Sequence, residues 1–327
     1  MQAIRPLLLG EKDVAAAAPP LREIIDIVEA TYRMEAEGKA DVPPKFGVHP
    51  DRPGAFLHAM PAWVSGAAAL GMKWVSYFPG NLARGVPDSS AIILLNDPDT
   101  GLPAAILEGM WITLARTAAG AAVAARHLAR PEPRRLGLIG CGPLGAWSLR
   151  MLGAAFPSIE QVSVASRRPE TRAAFCADMS GEGPWRLTPV DTVRQAVEGM
   201  DIVVTAVPKS VDPPISGAWW EPGALLVPLD IVSSWDDEIY ARANRLVCDG
   251  PMNLENAMAH FRPGLTLTGK TMDRLQDVVV GRAPGRRGDA ERCMAFVTGI
   301  ASLDMTLAWS VFRRAREAGL GVDFDMA

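Results

Sequence analysis

Apolar residues at Leu21, Ile24, Ile25, Val28 and Tyr32 recur every three or four positions, with Glu and Arg between them. This spacing predicts an amphipathic helix over 21–39, ending near Gly38. Strand-like apolar segments follow at 55–60, 70–78, 90–96 and 104–109. The last two are joined by Asp97-Pro-Asp-Thr-Gly101-Leu-Pro, whose turn residues predict a hairpin. An alanine-rich helix is expected over 111–128, and Arg130-Pro-Glu-Pro133 breaks the chain after it. From residue 135 the pattern changes to alternation. Strands are expected at 136–139, 161–165, 201–207, 223–229 and 246–249, and helices at 144–155, 191–197, 236–243 and 273–280. A final helix over 301–317 carries Leu303, Leu307, Val311 and Phe312 on one face and is expected to return to the first domain.

Where the pattern changes, the sequence reads Leu136-Gly-Leu-Ile-Gly140-Cys-Gly142-Pro143-Leu144-Gly145. A short apolar strand running into G-x-G-x-x-G and then into a helix is a dinucleotide-binding fingerprint. The first glycine permits the tight turn, the second lets backbone approach a pyrophosphate, and the third lets helix and strand pack closely. An NAD-selective domain carries an acidic residue at the end of the second strand. Here Ser166-Arg167-Arg168-Pro169 stands there instead, and a hydroxyl with two guanidiniums suits a 2′-phosphate. The cofactor expected is NADP(H), with NAD(H) as the other possibility. The fold expected is α/β: a Rossmann-type doubly wound parallel sheet over 117–300, with a second α+β domain for substrate binding and dimerisation from 1–116 plus 301–327.

Composition narrows the classes. The chain has 327 residues, 49% hydrophobic and 21% charged, with a formal net charge of −4. That is globular, large enough for two cores, and without the basic excess of a nucleic-acid binder. The short Arg282…Arg286-Arg287 patch reads as loop. No apolar run reaches the roughly 18 residues of a membrane span, and the apolar patch near the N-terminus is weak for a signal peptide. A cytoplasmic location is expected. Cys141, Cys176, Cys248 and Cys293 form no C-x-x-C pair, and His49, His58, His127 and His260 show no H-x-x-x-H spacing, so no metal is expected. Cys141 reads as packing inside the glycine turn. Met60, Trp63, Trp74, Tyr77 and Phe78 are candidates for lining a pocket, although strand spacing also fits core positions.

The order of these features resembles the ornithine cyclodeaminase/mu-crystallin family along nearly the whole chain. The resemblance is carried by Gly71-Met-Lys73-Trp-Val-Ser-Tyr-Phe-Pro-Gly-Asn81, Asn96-Asp-Pro-Asp-Thr-Gly101-Leu-Pro, Ala115-Arg116-Thr117-Ala-Ala119, His127-Leu-Ala-Arg130-Pro, the glycine fingerprint, Asp201-Ile-Val-Val-Thr-Ala and the strand ending at Asp230. Pro43-Pro-Lys45 and His58-Ala-Met-Pro-Ala62 are most similar to the branch of that family named for tyramine oxidase. The resemblance implies hydride transfer between a nicotinamide cofactor and a carbon bonded to nitrogen, on a small imino- or amino-acid substrate, in a homodimer. It assigns Lys73 and Arg116 to the substrate carboxylate and Asp230 to acid/base catalysis. It adds Thr117 as a phosphate contact from the helix start, and Thr205, Ala206, Val207 and Gly299 as further cofactor contacts beside Gly140, Gly142, Pro143, Leu144, Gly145, Ser166, Arg167 and Arg168.

Each of these residues has a plainer reading. Lys73 could pair with a core carboxylate such as Glu108, Arg116 could cap a loop or bind only a cofactor phosphate, and Asp230 could cap a turn. The sequence departs from the family pattern twice. Lys45 stands where many relatives have arginine, which keeps the charge but loses the planar fork. His58 stands where cyclodeaminases have a glutamate for the substrate's distal amine. His58 could act in proton transfer, or be a satisfied histidine on the inner face of a strand. An imine reductase or amino-acid dehydrogenase is therefore expected ahead of a cyclodeaminase or a non-catalytic nucleotide-bound binding protein.

Overall fold

The protein is described by a computed structural model covering residues 4–208, 215–267 and 269–326. The chain divides into two compact units, one of Met1–Arg116 with Ile300–Ala327 and one of Thr117–Gly299.

In the first unit the strands are β1 (Leu7–Leu9), β2 (Ala40–Asp41), β3 (Phe46–Val48), β4 (Phe56–Val64), β5 (Ala69–Tyr77), β6 (Ser89–Asn96), β7 (Pro103–Glu108) and β16 (Val322–Asp323). Its helices are α1 (Glu11–Ala16), α2 (Leu21–Ala36) and α9 (Ala301–Ala318), and α3 (Met110–Leu128) carries the division between the units. Among the described residues the strands form one sheet in the order β16-β1-β7-β6-β5-β4-β2, with β3 also pairing β4. The expected hairpin joins β6 and β7. Asp97 Oδ1 accepts from Thr100 Oγ1 and from the amides of Asp99 and Thr100, and Gly101 takes the left-handed conformation, φ 73°.

Register divides this sheet into two unlike faces, because strand side chains alternate. On one face Met60, Lys73, Ile93 and Leu107 stand in a single cross-strand row. A Cβ on Gly71, also on that face, would lie 2.2 Å from the Leu94 carbonyl oxygen of β6 and 3.0 Å from Met305 Sδ on α9, so the strand has room only for glycine here. The other face carries the row Phe46, Ala59, Trp74 and Ile92, and the row Pro61, Met72, Leu94 and Ile106. Phe46 is 60% and Ile92 53% exposed.

The second unit alternates strand and helix. It runs β8 (Arg135–Ile139), α4 (Pro143–Ala155), β9 (Gln161–Ala165), α5 (Pro169–Met179), β10 (Arg186–Pro189), β11 (Ile202–Thr205), β12 (Leu225–Pro228), α6 (Glu238–Arg242), β13 (Arg245–Cys248), α7 (Pro251–Phe261), β14 (Met272–Arg274), α8 (Leu275–Val279) and β15 (Cys293–Phe296). The strands form a sheet in the order β10-β9-β8-β11-β12-β15-β13-β14, every pairing parallel. Strands β11, β12, β13 and β15 are buried along their whole length, which is why they read as continuous apolar runs. Chain order reverses between β8 and β11. This is the switch point of a doubly wound sheet, where strand ends and helix N-termini face open space.

Three expected helices come out differently. The segment 191–197 forms only a single 3₁₀ turn, Arg194–Ala196. The segment 236–243 shortens to α6. The segment 273–280 begins as β14, because its first residues pair with β13 at the sheet edge, and only then becomes α8. In the Arg282–Arg287 loop, Arg286 donates to the carbonyls of Leu128, Gly288 and Glu291, so that guanidinium braces backbone.

Leu226 lies at the centre of the core of the second unit, with Val203, Trp220, Trp235 and Phe296. Leu226→Ala is expected to cost about 2–5 kcal/mol, read as a lowered denaturant midpoint with unchanged native circular dichroism.

Candidate active site

In the first unit three charged side chains meet out of water. Lys73 projects from the middle of β5 and is 1% exposed. Its ammonium donates to Asp304 Oδ1 at 2.8 Å and to Thr113 Oγ1 at 3.3 Å. Arg116, on α3, donates through Nε to the same Asp304 oxygen at 2.9 Å. Asp304, on α9, is fully buried. Burial alone would raise the pKa of this carboxyl, but Arg116 and then Lys73 outweigh it and hold it below the ordinary value. Burial is also the main reason the Lys73 pKa falls to about 7. Arg116 repels its charge, Asp304 partly restores it, and Lys45 adds a further repulsion.

The partner of Lys73 is therefore Asp304. Glu108, the sequence-level candidate, stands on the opposite sheet face, across from Ile92, and accepts from the Met110 and Trp111 amides to cap α3. A signal for Asp304 was present in the sequence. It falls in register with Leu307, Ala308 and Val311 and so interrupts the apolar stripe of the last helix.

Lys45 and His58 belong to the same part of the molecule. His58 lies two residues before Met60 on β4 and opposite Val75, so it shares the Lys73 face. Phe56 stacks on its ring at 4.2 Å between centroids, and His49 meets it edge-on at 5.7 Å. Lys45 immediately precedes β3 and is close enough to act on the Lys73 charge. Of the aromatic and sulfur candidates on β4 and β5, Met60 and Tyr77 share this face, while Trp63 and Trp74 stand on the other.

In the second unit the glycine fingerprint sits at the end of β8, beside the switch point. Gly140 has φ 120°, and a Cβ there would lie 2.3 Å from the Ala206 carbonyl oxygen. A Cβ on Gly145 would lie 2.1 Å from the Gly140 carbonyl oxygen. Gly142 has open space around it and no side chain caps α4, so the first amides of that helix, at Leu144 and Gly145 just after Pro143, are arranged as a phosphate cradle. These residues fit a dinucleotide pyrophosphate. Arg167 and Arg168 are exposed just past the end of β9. Arg172, which sequence reasoning did not single out, donates to the Ser166 carbonyl and to Asp191, and so fixes the loop that presents them. Cys141 is half-buried with its thiol toward the Ala165 carbonyl, and burial pushes its pKa to about 11, which matches a packing role.

Asp230 lies two residues beyond β12 and is 6% exposed. Thr205, at the end of β11, donates its hydroxyl to the Asp230 carboxylate and accepts from Trp235 Nε1 at 3.4 Å. Ser233 Oγ lies 3.0 Å from the Asp230 carbonyl oxygen and 3.4 Å from Oδ2. Burial pushes the Asp230 pKa up to about 7 against these hydrogen bonds. The next residue, Ile231, has φ 66°, a left-handed conformation that is costly for a β-branched side chain and concentrated at functional sites. The Thr205 hydroxyl is thus engaged with Asp230, while Ala206 and Val207 continue from the strand end. Gly299 donates its amide toward Asp249 at 3.4 Å. Thr117 lies in the third turn of α3, not at the helix start that the sequence suggested. Among the described residues no group of three His, Cys, Asp or Glu could hold a metal, and no helix is long and apolar enough to cross a membrane.

Residues 7–319 match the sequence model of the ornithine cyclodeaminase/mu-crystallin family. The nodulation efficiency protein NfeD of Rhizobium meliloti is 30% identical over 313 residues, covering 96% of each chain. Among solved structures, Thermococcus litoralis Delta(1)-pyrroline-2-carboxylate reductase in complex with NADH and L-proline superposes with a TM-score of 0.88 at 28% identity, over 97% of this chain and 100% of that one. An archaeal alanine dehydrogenase dimer with bound NAD superposes with a TM-score of 0.87 at 27% identity, over 99% and 100%.

The raised Asp230 pKa fixes the sign of a stability effect. Between the unfolded value near 4 and the folded value near 7, the native state holds the extra proton, so stability from this group is present at low pH and lost as pH rises through about 7. Asp230→Asn is expected to raise the melting temperature at pH 8, a gain on the order of 1–3 kcal/mol that is much smaller at pH 5 and vanishes only below about pH 4. Thermal unfolding at the two pH values checks it.

Proposed function

The chain belongs to the ornithine cyclodeaminase/mu-crystallin family, and from that premise we propose that it is an NADPH-dependent reductase of 2-imino acids, or in reverse an amino-acid dehydrogenase. The observation that carries this reading is Asp230: a buried carboxyl at the carboxyl end of the parallel sheet, beside the switch point, with its pKa near neutrality. A group so tuned can give a proton at pH 7 and take it back. Similarity to a pyrroline-carboxylate reductase and an alanine dehydrogenase supports the same class of chemistry.

A nicotinamide cofactor supplies the hydride when bound, and the uncapped start of α4 with Gly140, Gly142 and Gly145 holds its pyrophosphate. Ser166, Arg167 and Arg168 take the 2′-phosphate, and Thr205, Ala206, Val207, Thr117 and Gly299 complete the cofactor set. Arg116, Lys73 and Lys45 hold the substrate carboxylate. Asp304 occupies Arg116 Nε, and a bidentate grip through the two Nη nitrogens does not need that hydrogen. Asp230 holds a proton that it can give to an imine nitrogen. Thr205 holds the carboxyl in place at the strand end. His58 is a second proton-transfer group on the Lys73 face. It offers nothing equivalent to a carboxylate for a distal amine, which favours imine reduction over cyclisation of a diamino acid.

The protein acts as a homodimer. The sheet face opposite Lys73 carries Phe46, Trp74 and Ile92 in one row, with Phe46 and Ile92 more than half exposed. Exposed apolar side chains on a sheet face suit an interface, and a second copy offers the matching surface.

The first test follows oxidation of NADPH and of NADH with cyclic 2-imino acids and with 2-oxo acids mixed with ammonia or methylamine. Substrate-dependent loss of NADPH, much faster than of NADH, is expected. kcat/KM for reduction is expected to fall as pH rises above about 7, and Asp230→Asn to lower kcat about 10²–10⁴-fold. Activity of this variant equal to wild type would overturn the mechanism. Arg167→Ala with Arg168→Ala is expected to raise KM for NADPH about tenfold or more and leave NADH unchanged. Ile92→Arg is expected to shift the protein from dimer to monomer in light scattering.

A further inference from the structure

Asp304 counts charge as well as holding side chains. The cluster it centres contains two cations and one anion, all but excluded from water. A low-dielectric site tolerates balanced charge and resists an excess, and the excess positive charge here can leave only from Lys73, because a guanidinium does not deprotonate. We propose that Asp304 is a positioning residue that sets this balance, so that binding of a substrate carboxylate draws one proton onto Lys73. The inference rests on the reading that this face holds the substrate carboxylate.

In the free protein Asp304 and Arg116 balance each other and Lys73 is mostly neutral above pH 7, in keeping with its lowered pKa. The groups that act on Lys73 come from several elements: Asp304 on α9, Arg116 and Thr113 on α3, and Lys45 before β3; His58 shares its sheet face. A ligand carboxylate brings the second anion. Two anions with two cations restore balance, and Lys73 regains its proton. Without the Asp304 charge, the ligand would merely replace it. The bound cluster would then have the charge count of the free wild-type protein, with Lys73 unprotonated at pH 8.

The test is calorimetric titration of the full-length protein, saturated with NADPH, with pyrrole-2-carboxylate, a planar carboxylate that hydride does not reduce. It is run at pH 8 in two buffers of different ionisation enthalpy, which together yield the protons taken up. Wild type is expected to take up about one proton per ligand bound. Asp304→Asn is expected to bind with uptake near zero. Lys73→Met, which leaves the Arg116–Asp304 pair intact, is expected to lose the uptake too and serves if Asp304→Asn does not fold. Binding to wild type without proton uptake, or undiminished uptake in either variant, overturns the inference while leaving the carboxylate site standing. Failure of wild type to bind the ligand overturns the carboxylate site and the inference with it.

Discussion

A carboxylate with no access to water, Asp304, joins three segments that lie far apart in the chain: β5 through Lys73, α3 through Arg116, and α9 on which it stands. None of the three side chains could be buried alone, since an isolated charge in the interior costs several kcal/mol. Together they satisfy one another, and that requirement fixes where α9 lies on the sheet. Removing one partner would strand the others, so the geometry of the cation pair is strongly determined. The same constraint takes Lys73 out of the ordinary range of lysine and makes its charge sensitive to any anion that arrives.

The second unit answers a related problem differently. Asp230 is also buried, but its hydrogen-bond partners, Thr205 and Ser233, are neutral. Hydrogen bonds compensate burial only in part, so its pKa rises where that of Asp304 falls. Two buried aspartates thus acquire opposite properties from their surroundings, one a permanent anion that organises cations, the other an acid poised near neutrality. The residue that follows Asp230, Ile231, is left-handed, a conformation that is costly for a β-branched side chain.

Much of this was legible in the chain. The glycine fingerprint, the alternation after residue 135 and the hairpin at Asp97–Pro103 are local patterns, and local patterns survive translation into structure because backbone geometry imposes them. Lys73, Arg116 and Asp230 stood out through the resemblance to the family, and Lys73 and Asp230 also as charges on apolar strands. Glu108 was the wrong partner for Lys73 because strand alternation puts it on the far side of the sheet, which requires the register of β5, β6 and β7 to be known. Trp63 and Trp74 were separated from Met60 and Tyr77 for the same reason. The helix expected at 273–280 lost its first turn to β14 because a free sheet edge competes for the same backbone.

The sequence by itself determined the parallel sheet with its glycine turn, and the family, since each rests on residue type and short-range spacing. Tertiary structure alone decided the pairings. Asp304 meets Lys73 across 231 residues and Arg116 across 188, and Thr205 reaches Asp230 from a neighbouring strand. Charge state follows from those pairings, because burial and the nearest opposite charge set a pKa, and neither is a property of sequence order.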